Sequence, residues 1–385
     1  MPGLLPDVDP DGLLEFSVVY TDRSLNHMSN NFGQVMRDIS AILKNAYQAH
    51  SVAIVPGSGT FGMESVARQF ARNKKCLILR NGWFSYRWTQ IFEMAQLTTD
   101  LHVLKARQVE DSINGAFTPA PIEDVVAFIL QEKPAVVFAP HVETSAGLML
   151  SDAYLTAVGN AVEAVGGLFV LDCIASGAMW VDMKACKVDI LLSAPQKGWS
   201  GPPCCALIGM SERARQKIEL TQSNSFALDL KKWLTIMDTY EKGAHVYHAT
   251  MPTDTLRLVR NVMQETESLG FTNLKAKQVE LGKKVRDLMV ANGLASVAAA
   301  GFQAPAVVVS YTLDPDIQTG KKFMALGIQT AAGVPLQCDE RSDFCTFRIG
   351  LFGLEKLQNI ERTLELLESA IEQVIDTRQA TAAHA

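Results

Sequence analysis

Clustered basic charge is missing from this 385-residue chain, whose formal net charge is −6. Its two short basic patches, at residues 72–75 and 283–286, read as ordinary solvated surface. A nucleic-acid partner is not expected, because backbone phosphates are held by a basic face. Long apolar runs are missing too, and none reaches the length that spans a bilayer. The opening MPGLLPDVDPDG lacks a positive n-region and an apolar h-region, so no signal peptide is expected. The resulting expectation is a soluble, cytoplasmic protein with no membrane partner. Metal-site cysteine spacing is absent. The seven cysteines (Cys76, Cys173, Cys186, Cys204, Cys205, Cys338 and Cys345) are scattered. That pattern fits buried free thiols in a reducing compartment, and no metal is expected. Low-complexity tracts and internal repeats are lacking as well.

What is present is a long, half-apolar chain able to bury a large core. Between residues 51 and 209, short β-branched runs alternate with amphipathic stretches. The runs at 52–56, 76–80, 102–105, 135–139, 168–172, 190–193 and 205–209 predict strands. Those at 65–71, 122–131 and 152–165 predict helices. Such alternation means an α/β fold with a mostly parallel sheet of seven strands, in which ligands bind beyond the strands' carboxyl ends. After residue 252 the pattern changes to helices at 253–269 and 275–292, short strands at 306–311 and 345–349, and a helix near 355–375. The implied division is an N-terminal arm (1–24), a large domain (25–254) and a smaller C-terminal α+β domain (255–385). Residues 377–385, small and polar, are expected to fray.

The first strand runs into Gly57-Ser58-Gly59-Thr60-Phe61-Gly62 and then a helix. Small residues let backbone approach a phosphate, and the helix start offers free N–H groups and a positive dipole end. A purely structural tight turn fits the same letters. They also spell G-x-G-x-x-G, but a dinucleotide fold wants an acid closing the next strand, and Arg80 stands there.

Two further strand ends carry chemistry. Asp172 closes the apolar run Leu168-Phe169-Val170-Leu171, where an acid is costly unless paired. Beyond the 190–193 run, Lys197 sits in Ala194-Pro195-Gln196-Lys197-Gly198-Trp199, with few charges nearby. A desolvated lysine has a lowered pKa and gains nucleophilicity. Taken singly, Asp172 has a plain alternative as a strand-end cap and Lys197 as an ordinary loop lysine. Taken together with the glycine loop, they supply what pyridoxal phosphate requires. Those needs are an amine for its aldehyde, a carboxylate for its pyridine nitrogen and a cup for its phosphate.

The motifs make the chain similar to a known family. They are Gly57-Ser58-Gly59-Thr60, Asn81-Gly82-Trp83-Phe84-Ser85-Tyr86-Arg87, Glu143-Thr144-Ser145-Ala146-Gly147, Asp172-Cys173-Ile174-Ala175-Ser176, Ser193-Ala194-Pro195-Gln196-Lys197, Tyr247-His248-Ala249-Thr250-Met251-Pro252 and Phe347-Arg348-Ile349-Gly350-Leu351. In order and spacing the sequence resembles the class V aminotransferases of fold type I, especially the alanine–glyoxylate and serine–glyoxylate group, from about residue 32 to 375. The resemblance implies that Ser58, Gly59 and Thr60 hold the cofactor phosphate, with Gln196 close by. Phe84 would stack on the ring, with Trp83 as the fallback. Thr144 would meet the ring hydroxyl region, Asp172 the ring nitrogen, and Ile174 would pack beneath. Lys197 would carry the cofactor as a Schiff base, and Arg348 would take the substrate carboxylate, a surface ion pair being its plain alternative. Tyr247 and Thr250 would reach the neighbouring site of a homodimer. The implied activity passes an amino group from an amino acid to a small 2-oxo acid, glyoxylate or pyruvate, in a ping-pong sequence.

The chain departs from this pattern at two places. The Gly-Pro-Gly-Pro-type loop of relatives is replaced by residues 15–28, in which Arg23 and His27 are candidates for a second anionic substrate group. Thr60 stands where alanine–glyoxylate enzymes commonly carry His. Rival readings are a lyase or desulfurase on the same fold, for which Cys338 is the thiol to test, and an NAD(P)-dependent dehydrogenase built on residues 57–62.

Overall fold

The computed structural model describes residues 8–382, with side chains through residue 375. Seven strands form the central sheet: β1 (Ser51–Pro56), β2 (Cys76–Arg80), β3 (Leu101–Lys105), β4 (Val136–Pro140), β5 (Leu168–Asp172), β6 (Ile190–Ser193) and β7 (Cys205–Met210). Their order is β1-β7-β6-β5-β4-β2-β3. β7 runs antiparallel to β1 and β6, and the remaining pairs are parallel. The expected strands are all present, each within about one residue of its expected bounds. β2 and β4–β7 are buried throughout, which explains their unbroken apolar runs. The edge strand β3 is only half buried and ends in Lys105, a charge that discourages further strand pairing.

Helices α1 (Asn30–Tyr47), α2 (Gly59–Phe70), α3 (Trp83–Ala95), α4 (Ile122–Glu132), α5 (Asp152–Ala164), α6 (Glu212–Ile218) and α7 (Leu230–Glu241) cover the sheet. Polar N-caps start several of them. Ser151 accepts the Tyr154 amide and Asp229 accepts those of Lys231 and Lys232. Two long helices, α8 (Thr253–Leu269) and α9 (Phe271–Ala291), follow, α8 packing on α1. A second antiparallel sheet then forms from β8 (Val307–Tyr311), β9 (Ala331–Ala332) and β10 (Thr346–Gly350), in the order β8-β10-β9. The helical end of the chain is split, Leu354–Gln358 and then Ile360–Ala382. The tail expected to fray from 377 is thus helical as far as Ala382, in keeping with its Ala, Arg and Gln content. Residues 1–7 of the expected arm and 383–385 lie outside the described residues. Residues 18–29 contain no strand or helix.

Register decides where the site falls. Pro140 and Leu192 both pair with Asp172, so β4, β5 and β6 end level with one another. The loops that follow them therefore emerge side by side. The loop after β4 forms a small hairpin, Val142–Glu143 against Leu148–Met149. It packs into a second apolar cluster, where Val142, Ala146 and Leu148 meet Val297, Val307, Val309 and Leu336. Gly147, at φ +67°, makes this approach possible: a Cβ there would press Val309, and the Gly147 carbonyl accepts the Ala304 amide. Buried Gln278 on α9 adds another tie, donating to the Pro305 and Leu351 carbonyls and accepting the Ala178 amide. The second sheet is thereby fixed against the strand ends of the first.

Candidate active site

At the tip of β5, Asp172 is 8% exposed and accepts a 2.9 Å bond from the Ile174 amide. Burial raises its pKa to about 6; the Ile174 bond and the charges of Lys197 and Arg87 oppose that rise, and Glu143 adds to it. Lys197 follows the neighbouring strand β6 in a loop that folds tightly on itself. Gly201 donates to Pro195, Ser200 sits at φ +57°, and the indole of Trp199 donates to Ser193 Oγ. Gly198 is held against the Gly177 carbonyl, where a Cβ would collide. Burial lowers the Lys197 pKa; Asp172 pulls it back up and Arg348 lowers it further. Its Nζ lies 5.2 Å from the Phe352 ring centre and 5.9 Å from that of Phe84. An amine and a carboxylate thus approach from adjacent strands, each drawn by burial toward its neutral form.

The glycine loop after β1 forms the second part. Gly57 has φ +120° and donates to the Cys204 carbonyl. Ser58 caps α2 in an extended conformation with its hydroxyl making no capping bond. A Cβ on Gly59 would stand 2.6 Å from Ile174 Cδ1, so this glycine lets the helix start abut the residue two beyond Asp172. A Cβ on Gly62 would meet Ala206 of β7 at 2.4 Å. The last glycine of the G-x-G-x-x-G string therefore serves helix-on-sheet packing. Arg80, where a dinucleotide enzyme wants an acid, donates to Thr89 Oγ1 and the Gln337 carbonyl and lies 4.8 Å over Tyr86. It ties β2 to neighbouring structure.

The third part is the start of α3. Fully buried Glu143 accepts five bonds, from the amides of Phe84, Ser85 and Ser145 and the hydroxyls of Ser85 and Ser145. A carboxylate at a helix N-terminus is stabilised by the dipole and by charge-assisted bonds. It fixes Phe84, over which three cations gather: Lys197, Arg87 at 5.5 Å and Arg348 at 5.5 Å. Trp83 instead packs on Tyr86. Arg348 reaches the site from β10, its Nε donating to the Ala332 carbonyl at 2.8 Å and its pKa lowered by burial.

The expected residues distribute unevenly. Ser58, Gly59, Thr60, Phe84, Thr144, Asp172, Ile174, Lys197 and Arg348 sit on the elements that converge here, with Thr144 buried between Glu143 and Ser145. Gln196 is exposed. Tyr247 and Thr250 are exposed and bond to each other, Oη to Oγ1 at 3.0 Å. Arg23 is exposed, whereas His27 is buried between Tyr20, His245 and Tyr247. The nearby depression is lined by Asp9, Asp11, Glu15 and Asp22, and neither Arg23 nor His27 lines it. Cys338 is 5% exposed, and burial pushes its thiol up to about 12. It packs among apolar side chains, the wrong setting for a catalytic thiolate. Three site residues escaped the sequence reading as individuals: Glu143 and Arg87, though both fall within quoted motifs, and Phe352.

These residues fit pyridoxal phosphate in donor chemistry. A desolvated amine suits the aldehyde, a buried carboxylate the pyridine nitrogen, the α2 start with Thr60 the phosphate, and Phe84 with Ile174 the two faces of the ring.

Comparison with known proteins agrees. The family model described as "Aminotransferase class-V" matches residues 14–318. A Synechococcus protein named soluble hydrogenase, small subunit, is 25% identical over 91% of this chain and 88% of its own length. The alanine–glyoxylate aminotransferase 1 of Saccharomyces cerevisiae is 26% identical over 76% of this chain and 78% of its own. Among solved structures, the alanine–glyoxylate aminotransferase of Nostoc superposes with a TM-score of 0.77, covering 91% of this chain and 88% of that one at 21% identity. Fold, lysine–aspartate pair and family match together make the chain a member of the class V aminotransferases, enzymes of fold type I that depend on pyridoxal phosphate.

Proposed function

We propose that the protein moves an amino group from an amino acid to a small 2-oxo acid, glyoxylate or pyruvate, in two alternating half-reactions. The observation that carries this reading is the Lys197–Asp172 pair on level strand ends. Bound pyridoxal phosphate supplies an electron-withdrawing ring that eases loss of the substrate Cα proton. The Asp172 carboxylate holds a proton at the pyridine nitrogen, and the Lys197 amine takes and returns the proton at Cα. Arg348 orients the substrate by its carboxylate through a planar two-pronged contact. Ser58, Gly59 and Thr60 hold the phosphate with Gln196 beside them, while Thr144 meets the ring hydroxyl. Phe84 and Ile174 cover the ring faces and exclude water. Tyr247 and Thr250, left exposed in one chain, extend to the phosphate in the second subunit of a homodimer. Glyoxylate as acceptor is supported by the names of relatives, including an L-aspartate–glyoxylate aminotransferase of Paracoccus denitrificans, 26% identical over 70% of this chain. Among the described residues no helix is long and apolar enough to cross a membrane.

The test is a single half-reaction. With an amino donor alone, the enzyme should release about one equivalent of 2-oxo acid per subunit and then stop until glyoxylate or pyruvate is added. Continued turnover without an acceptor would identify a lyase and sink the proposal.

A further inference from the structure

Neither arginine over Phe84 is ion-paired to a carboxylate among the described residues, and Arg87 is the one beside the α2 start. Arg87 lies one turn into α3, on the same face as Phe84, with its guanidinium carbon 5.5 Å from that ring's centre. Its Nη1 donates to Thr60 Oγ1 at 2.9 Å. It is half-buried, and it acts at range on both Asp172 and Lys197. A guanidinium beside a helix start opposes the positive dipole end, and the buried Asp172 carboxylate acts on it only at range. An anion between them removes that conflict.

The bond to Thr60 has a second consequence. A threonine hydroxyl has one proton to donate and two lone pairs to accept with. Arg87 occupies an acceptor site, so the Thr60 proton is left to donate elsewhere. The first N–H groups of α2 have no acceptor within the helix, and the Ser58 side chain does not cap them. The hydroxyl thus becomes another donor of the same anion cup.

We infer that Arg87 is a positioning residue for the cofactor phosphate. It turns the Thr60 hydroxyl into a donor and adds the positive charge that the cup otherwise lacks. The inference rests on residues 58–60 being the phosphate cup. It concerns cofactor affinity and not the chemistry at Cα.

The test titrates cofactor-free protein with pyridoxal phosphate and, separately, with pyridoxal, which lacks the phosphate, following the absorbance of the bound aldehyde. Wild type should bind pyridoxal phosphate far more tightly than pyridoxal, and inorganic phosphate should compete with the former. Arg87→Met should weaken pyridoxal phosphate binding by about 10- to 100-fold, the range for a hydrogen bond to a charged group, and leave pyridoxal unchanged. Arg87→Lys should recover part of the loss. Thr60→Val should lose a similar factor, and the double variant with Arg87→Met should lose less than the product, since one bond links the two. If Arg87→Met weakens both aldehydes equally, Arg87 acts through Phe84 packing and the inference falls; unaltered pyridoxal phosphate affinity also overturns it. A wild type that fails to distinguish the two aldehydes would instead refute the phosphate cup itself.

Discussion

A carboxylate kept out of water pays for its position in the free protein, and Asp172 is such a group. Its pKa is about 6 in the folded state against an ordinary 3.8, chiefly through burial. The folded protein therefore keeps this proton at pH values where the unfolded chain has lost it. Stability then falls as pH rises from about 4 to about 6, by about 3 kcal/mol in all. Asp172→Asn keeps an oxygen for the Ile174 amide and has no charge to bury. In cofactor-free protein the variant should gain on wild type across that window and hold a constant lead above it. Paired denaturant titrations at stepped pH measure the difference, in which shared carboxylates cancel. A lead independent of pH would mean that Asp172 is not strained by burial. The same substitution should slow the cofactor-loaded enzyme, because Asn gives no negative partner to the ring nitrogen. Stability set against function at one position marks a site residue.

At the scale of elements, Glu143 governs where α3 begins. Five donors converge on it, and Gly82 beside it has no room for a side chain, since a Cβ would stand 2.1 Å from Ser145 Oγ. Glu143→Gln replaces one acceptor oxygen with an amide that faces N–H donors. It should cost about 1–3 kcal/mol in denaturant unfolding and loosen Phe84. Unchanged stability would show that the helix start does not depend on this cap. Most strands of the large sheet were legible in the sequence because they are buried on both faces, so that a run such as Ile190-Leu191-Leu192 is unbroken by polar residues. Asp172 and Lys197 were legible because each stands out against an apolar run or a loop with few charges. Glu143 was harder to see: its role comes from donors on residues 84 and 85, which only the fold brings to it. Two-residue β9 carries no periodicity at all, yet its Ala332 carbonyl orients Arg348. Phe352 was invisible for a similar reason, as it approaches Lys197 from a loop about 150 residues away.

The whole molecule leaves one face unfinished. Leu13, Phe16 and Val18 are about nine-tenths exposed or more, and Tyr247 is half exposed. Tyr20 ties this segment to the 243–251 loop by donating to the Met251 carbonyl, and His27 between them keeps a buried Nδ1 without a partner. Exposed apolar side chains of this kind call for a cover, and a second copy of the chain is the cover proposed here. Its consequence is a shared site, with Lys197 from one subunit and Tyr247 from the other. Lys197→Ala and Tyr247→Ala homodimers should both be impaired, the first completely. Mixed by unfolding and refolding together, they should form heterodimers in which one site has an intact lysine and an intact tyrosine while the other lacks both. Activity should then rise well above that of either parent, toward half of wild type per heterodimer. If Tyr247 served its own subunit, each site of the heterodimer would carry one of the two lesions and mixing would restore nothing.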